Sequence, residues 1–307
     1  MSRARRRRAK RRAGQEQRSS DPRLDLHLHT TASDGRFPAL EVLKLCAERG
    51  LHTVALTDHD VPPTLPAGPH AFGARTIRLL HAAEVSATHA GTELHFLAYF
   101  SADMPERFVQ FLRGRARSRA DRYDGAAARL GLPGADADAR AGHRALTRHH
   151  LARALVEHEQ VGSVQAAFQG PLARRKGLVP PIELTVADAL KEMADCGAIS
   201  IWAHPRIDHA TEFLGHFAEL GLNGVEAYRP SASLTQRATL ARMALTHGMV
   251  VTGGSDWHGW RGRLGSFRVR ASEVAPFLHQ LDGPARVGQD SGTSPVDPPG
   301  RKTVHPS

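Results

Sequence analysis

The chain is poor in cysteine: Cys46 and Cys196 are the only two in 307 residues, far apart and without a CxxC spacing. This argues against a cysteine-rich zinc site and fits packing roles in a reducing, cytoplasmic compartment. Long hydrophobic runs are also missing, and no stretch approaches the length of a membrane span. Acidic residues are absent from positions 3 to 12, where Arg3, Arg5, Arg6, Arg7, Arg8, Lys10, Arg11 and Arg12 stand together. No apolar stretch follows them, so the block is neither a secretory nor a twin-arginine export signal. It accounts for most of the formal charge of +10: taking these eight away leaves an ordinary +2. A like-charge block of this kind is expected to be disordered, so residues 1–20 read as an Arg-rich tail. Such a tail is either a solvated arm or a non-specific grip on nucleic-acid phosphates. What the chain has in excess is histidine, 19 in all.

The most telling stretch is Asp25-Leu26-His27-Leu28-His29, followed by Thr30-Thr31-Ala32-Ser33-Asp34-Gly35. Leu24, Leu26 and Leu28 alternate with Asp25, His27 and His29, the period of a strand with one apolar and one polar face. Two imidazoles therefore stand side by side, and a Gly-containing turn presents Asp34. Neutral imidazole and carboxylate together are ligands for Zn, Mn and Fe. The bland alternative is a His-rich strand end in solvent.

Along the chain, Pro38 opens an amphipathic helix over 39–49 with Gly50 past its end. A β-rich run at 53–57 ends in Asp58-His59-Asp60, and Pro and Gly mark 62–69 as a loop. Ile77 to Val85 reads as a strand ending at Glu84, joined through His89-Ala90-Gly91-Thr92 to a partner over 93–100 that contains His95. From about 101 to 182 the βα rhythm stops. Here a helix carries Arg113, Arg115, Arg117, Arg119 and Arg122, another runs from Thr147 to His158, and Arg174-Arg175-Lys176-Gly177 forms a basic loop. The section reads as a helical insertion. The rhythm resumes with helices at 185–196, 208–220 and 233–247 and strands at 198–202, 224–227 and 249–252. The last strand leads into Gly253-Gly254-Ser255-Asp256-Trp257-His258-Gly259. Repeated βα units imply a parallel sheet, with enough units to close a barrel. From 283 the chain is Pro/Gly/Ser-rich and reads as disordered.

His27, His29, His59, Glu84, His204, Asp256 and His258 fall at the C-terminal ends of the expected strands, the rim where such folds do chemistry. Asp34 lies in the turn leaving the rim, and His95 is in or near a strand end. Three carboxylates bring about −3 and three divalent cations about +6, a surplus suited to hydroxide and a phosphate dianion. Such a site attracts anionic substrates and activates water.

Taken together, His27-Leu28-His29-Thr30 with Ser33-Asp34-Gly35, Thr57-Asp58-His59-Asp60, Glu84, His95, Ala203-His204-Pro205 and Gly254-Ser255-Asp256-Trp257-His258-Gly259 resemble the PHP (polymerase and histidinol phosphatase) family over residues 23 to 265. The resemblance implies an α/β fold, a distorted seven-stranded (β/α) barrel with a helical insertion, over residues 21–282. It implies two or three divalent metal ions, with Mn²⁺ expected and Zn²⁺ or Fe²⁺ as alternatives. One ion would take His27, His29, Glu84 and Asp256. Glu84 would bridge to a second, held also by His95 and His204. A third would take Asp34, His59 and His258.

Asp34, where histidinol-phosphatase-like members tend to have His, together with Thr147-Arg148-His149-His150-Leu151-Ala152-Arg153-Ala154-Leu155-Val156, resembles the nucleoside 3′,5′-bisphosphate phosphatases and the related 5′→3′ exoribonucleases of short RNA. The chain departs from that branch at Leu178, where an aromatic residue is expected, and at Val61, where Thr often stands. The resemblance implies a hydrolase in which metal-activated water attacks phosphorus in line, with no Cys or Ser nucleophile. Arg148, His150, Arg153, Lys176 and Arg206 are the candidate phosphate clamps, Arg offering a planar fork. Asp58, Asp60 and Trp257 read as supporting or packing residues. The competing readings are a histidinol-phosphate-type phosphatase and a non-catalytic nucleic-acid binder using the Arg-rich tail.

Overall fold

The computed structural model describes residues 21–283. Both tails expected to be disordered, and the nucleic-acid contact considered for the basic one, lie outside the described residues. The chain begins with β1 (Arg23–Leu28), α1 (Ala39–Glu48), β2 (Thr53–Leu56), β3 (Gly68–Phe72), β4 (Arg75–His89) and β5 (Thr92–Phe100). The insertion follows as α2 (Glu106–Leu130), α3 (Ala137–Ala141), α4 (Arg148–Glu157) and α5 (Val164–Gln169). Then come α6 (Val186–Asp195), β6 (Ile199–Trp202), α7 (Ile207–Glu219), β7 (Gly224–Tyr228), α8 (Leu234–Thr246), β8 (Val250–Gly253), β9 (Val269–Arg270) and α9 (Ala275–Asp282).

These strands form one sheet in the order β8-β7-β6-β5-β4-β2-β1-β9, with β3 added beside β4. The sheet is mixed and nearly closed, and it has nine strands rather than the expected seven. The two additions are short edge pieces. β3 falls in the segment read as a loop because Pro69 and Gly68 punctuate it, but it pairs antiparallel with β4 from Gly68↔Leu79 to Phe72↔Arg75, an edge position where proline is tolerated. β9 pairs with β1 only at Arg23 and Leu24.

Two features bring the chemistry to one rim. First, β4 and β5 form an antiparallel hairpin through Ala90 and Gly91, both at positive φ, as a tight hairpin turn demands. β5 therefore runs against its neighbours, and His95, close to its start, reaches the same rim as the ends of the parallel strands. Second, β8 meets β1 only beyond its own end, where the Asp256 amide donates to His27 O (2.9 Å) and the His29 amide to Trp257 O (3.1 Å). The backbone that draws the barrel together is thus the backbone that carries the candidate ligands.

Apolar surface on the helices covers the sheet. Ala39, Val42, Leu43 and Cys46 of α1 pack on Val54, Leu56, Ile77 and Leu79. On the far side Phe217 of α7 meets Trp202 and Phe96 edge-on, and those two rings stack on each other, each such buried aromatic contributing about 2–3 kcal/mol. The insertion has its own core of Ala126, Ala127, Leu151, Leu155, Ala167 and Leu172. It is joined to the rim by Ala32, Val61, Ala116 and Ala145. Val61, the departure noted above, is the apolar plug of that joint, and Leu178 packs on the insertion core.

Candidate metal centre

The polar face of β1 does not meet solvent. Asp25, His27 and His29 are fully buried, as is Glu84, and Glu84 is the hub. Its Oε2 lies 3.3 Å from His27 Nε2, 3.2 Å from His29 Nε2 and 3.0 Å from His59 Nδ1. Its Oε1 lies 3.0 Å from both His95 Nδ1 and His204 Nε2. Asp256 Oδ1 stands 3.4 Å from His27 Nε2 and 3.2 Å from His29 Nε2. Asp34 faces His258 Nε2 at 3.2 Å and His59 Nε2 at 3.9 Å. All nine side chains named from the sequence therefore meet in one cluster. The donor atoms of eight of them fall into groups small enough to share an ion: His27, His29, Glu84 and Asp256; His29, Asp34, His59 and His258; and His59, Glu84 and His95. In the last group His59 takes the place expected of His204, which joins no such group and meets the cluster through Glu84 Oε1.

The donor set fits divalent cations on two counts. Nε2 of His27 and His29, Nδ1 of His59 and His95, and Oε2 of Glu84 are buried without a hydrogen-bond partner, a costly arrangement unless something else satisfies them. The outward nitrogens are also already used. His27 Nδ1–H donates to Glu226 Oε1 (3.0 Å), His258 Nδ1–H to Asp256 O (2.9 Å) and His29 Nδ1–H to Ser33 Oγ (3.4 Å). This fixes the tautomers so that lone pairs point inward. In the protein alone, burial would lower His29, but Asp256 and Glu84 outweigh it and raise the imidazole to about 10. Burial likewise opposes charge on His95, and Glu84 raises it to about 10. Burial, with His29 and His95 close by, pushes His59 down to about 3. Cations bound here would displace the extra protons on His29 and His95.

The backbone is bent to aim the ligands. His204 and Asp256 have φ of +34° and +54°, and Asp60 has +49°. Each costs about 1–3 kcal/mol and persists only where its surroundings enforce it. At Gly254 a Cβ would collide with His27, so only glycine lets the turn pass that closely. The Asp34 turn is held by Asp58, which accepts from the Thr30 amide (2.8 Å), Thr30 Oγ1 (2.7 Å) and Ser33 Oγ (2.6 Å). The supporting role expected of Asp58 is thus seen in the structure.

Other supports escaped the sequence reading. Buried Glu226 accepts from His27 on one oxygen and from the His204 amide (2.8 Å) on the other, locking two ligands from different strands. Asp25 accepts from the Ser255 amide (2.7 Å), and burial raises it to about 7. Arg119, one of seven arginines in α2, is buried and pairs with Asp60 at 2.6 Å. The signal was present: Arg119 continues the stripe Phe108, Leu112, Ala116 that α2 turns inward. Glu226→Gln is expected to weaken metal binding ten- to a hundredfold, because an amide offers one acceptor to two donors. Competition against a fluorescent chelator would show it, and wild-type affinity would refute the clamp.

A cavity of about 190 Å³ opens onto Asp34, His59 and His95 and is walled by Arg122, Tyr123, Arg148, His149, Phe168 and Arg174. Burial, with Arg119 nearby, pushes Arg122 down to about 10, and burial with Arg174 nearby lowers Arg148. The pocket is short of negative charge. Of the five clamps named from the sequence, Arg148 is in this wall. His150 is not: its Nδ1 accepts from the Thr147 amide (3.0 Å), closing the cap of α4. Arg153 lines a separate cavity together with His150 and stacks on Trp260. Lys176 is exposed and lines no described cavity, its place being taken by Arg174. Arg206 points outward, 71% exposed, and pairs with Asp208.

No family model matches the sequence. The 5′-3′ exoribonuclease Rnm of Salmonella typhimurium is 31% identical over 255 residues, covering 76% of this chain and 84% of that protein. The 3′,5′-nucleoside bisphosphate phosphatase of Chromobacterium violaceum is 28% identical over 247 residues, 76% of this chain and 87% of that one. A structure from Bifidobacterium adolescentis, of a protein proposed to be a metal-dependent phosphoesterase, shares the fold with a TM-score of 0.67. It is 24% identical and covers 84% of this chain and 96% of that one. Rim, donor set and relatives together define a hydrolase of phosphate esters. The chain belongs to the PHP family of phosphoesterases. Among the described residues no helix is long and apolar enough to cross a membrane.

Proposed function

We propose that this protein removes the 3′-phosphate of nucleoside 3′,5′-bisphosphates and, in the same pose, cleaves the first phosphodiester of short 5′-phosphorylated RNA. The observation that carries this reading is that the arginine-lined cavity opens directly onto the cluster of unpartnered donor atoms. The seven strands β1, β2 and β4 to β8 are the staves of the barrel. His27, His29, Glu84 and Asp256 would hold one cation, Glu84, His95 and His204 a second, and Asp34, His59 and His258 a third, with Mn²⁺ the preferred ion. Bound cations supply Lewis acidity and lower the pKa of water.

The remaining work falls to the chain. Arg148 and Arg174, with Arg122, hold the 5′-phosphate through planar forks. Phe168 and Tyr123 flank the nucleoside. The phosphorus to be attacked then sits over Asp34, His59 and His95. Water adds to phosphorus and the P–O3′ bond breaks. O3′ takes a proton, and the phosphate leaves free or stays on the 5′ end of the remaining RNA. Among the described residues no Cys or Ser lines the cavity, and Thr147 Oγ1 is engaged by the His149 amide (3.1 Å), so direct displacement is favoured.

The test is phosphate release from adenosine 3′,5′-bisphosphate by the Mn²⁺-loaded protein, beside AMP, histidinol phosphate and a 5′-phosphorylated RNA oligomer. The expected result is AMP that is not degraded further, and stepwise mononucleotides from the oligomer. Turnover of histidinol phosphate alone would overturn the nucleotide reading.

A further inference from the structure

The two sides of the cavity differ. Towards Glu93 and His95 it is walled by the insertion and its arginines. On the other side, Trp260 does not line the cavity but touches two residues that do, Asp34 and His149. The exposed large apolar side chains among the described residues are Leu40, Leu234, Leu245 and Trp260, and Trp260 is the aromatic one. It is held in that exposed position: Trp260 Nε1–H donates to the backbone oxygen of Asp34 at 2.7 Å. Its ring lies 5.2 Å from that of His149, which lines the cavity. The Arg153 guanidinium sits 4.4 Å from its centroid and that of Arg36 at 6.0 Å. The same loop adds exposed Arg261 and Arg263.

An indole tied to a candidate ligand loop and flanked by guanidinium groups is not explained by core packing. Nucleobases stack on aromatic and guanidinium planes at about 1–3 kcal/mol per base, and the neighbouring cations meet phosphates. A nucleoside bisphosphate ends at the phosphorus under attack and cannot reach this surface. A polynucleotide continues past it.

We propose that Trp260, with Arg153 and Arg36, is a stacking platform for the nucleotide on the 3′ side of the scissile phosphodiester, so that single-stranded RNA is held on both sides of the reacting phosphorus. The inference rests on the nucleotide reading above and adds polymer recognition to it.

The test compares kcat/KM on a 5′-phosphorylated trinucleotide with that on adenosine 3′,5′-bisphosphate. In Trp260→Ala the trinucleotide-to-bisphosphate ratio is expected to fall about tenfold, one stacked base's worth, chiefly through KM, and Trp260→Phe restores most of it. Damage relayed through Asp34 would lower both substrates together and leave the ratio unchanged, which would overturn the platform. So would a wild-type enzyme that takes the bisphosphate and ignores the trinucleotide. If the wild type acts on neither substrate, the nucleotide reading fails. The platform is then judged by the anisotropy of a 3′-fluorescein tetranucleotide with phosphorothioate linkages: about tenfold weaker binding by Trp260→Ala supports it, and equal binding refutes it.

Discussion

Asp256→Ala is expected to lower turnover at least a thousandfold while the protein stays folded. The Asp256 side chain is 39% exposed, and its contacts are with His27, His29 and His258. The strap that draws β8 to β1 uses its backbone amide, which the substitution keeps. The folding penalty is that of alanine in a left-handed conformation, about 1–2 kcal/mol. The chemical penalty is larger. The cation proposed between His27, His29, Glu84 and Asp256 would lose its only acidic ligand besides Glu84, and withdrawing about 4 kcal/mol of transition-state stabilisation corresponds to a thousandfold. Asp256→Asn separates the two effects, because asparagine tolerates the left-handed region but removes the charge. Its thermal midpoint should match the wild type while its turnover and metal content, by elemental analysis, fall with those of Asp256→Ala. Wild-type turnover in the alanine variant would remove Asp256 from the centre.

Arg119→Ala has the largest expected effect on stability. The guanidinium donates to Asp60 Oδ2 at 2.6 Å, Ser86 Oγ at 2.7 Å and Leu146 O at 3.5 Å. Burial works against ionisation of Asp60, yet Arg119 and Arg115 hold its carboxyl below the usual range. Removing the arginine strands a buried carboxylate, a loss of about 3–5 kcal/mol, and the melting temperature of a domain this size should drop by about 10 °C. Because Asp60 follows His59 and ties the insertion to the rim, activity should fall as well. Arg119→Ala with Asp60→Asn, which removes both charges, should recover part of the loss. A single variant melting within 2 °C of the wild type, by calorimetry, would show that the pair is not a structural pin.

The two kinds of residue in these tests differ in how visible they are in a sequence. Asp256 sits in a strand-end motif with His258 two residues on, and the residue types state the chemistry before any fold is known. Arg119 looks like one more cation in a basic helix. Its partner is 59 residues away, and the stripe Phe108, Leu112, Ala116 that it continues marks the inward face but not the partner. Glu226 is harder still, a single acid in a short strand that meets His27 across 199 residues. β3 was hidden by its own proline and glycine, and β9, two residues long, has no periodicity to read. Among the residues expected to clamp phosphate, Arg148 lines the cavity, whereas Lys176 is exposed and lines no described cavity and Arg206 pairs with Asp208 at the surface. Charge is written in the sequence, but side-chain direction is set by helix phase and loop path.

The sequence by itself determined the βα rhythm, the candidate donor residues, seven at strand ends with Asp34 in a turn and His95 beside them, and the family they resemble, because a strand's period of two and a turn's need for glycine are local rules. Only the tertiary structure decided that Glu84 is the hub, that Glu226, Asp25 and Arg119 hold the ligand-bearing loops, and that Arg122, Arg174 and Trp260 rather than Lys176 and Arg206 border the site. Those roles depend on distances between segments far apart in the chain, which are fixed when apolar helix faces are buried against the sheet and every buried charge must find a partner.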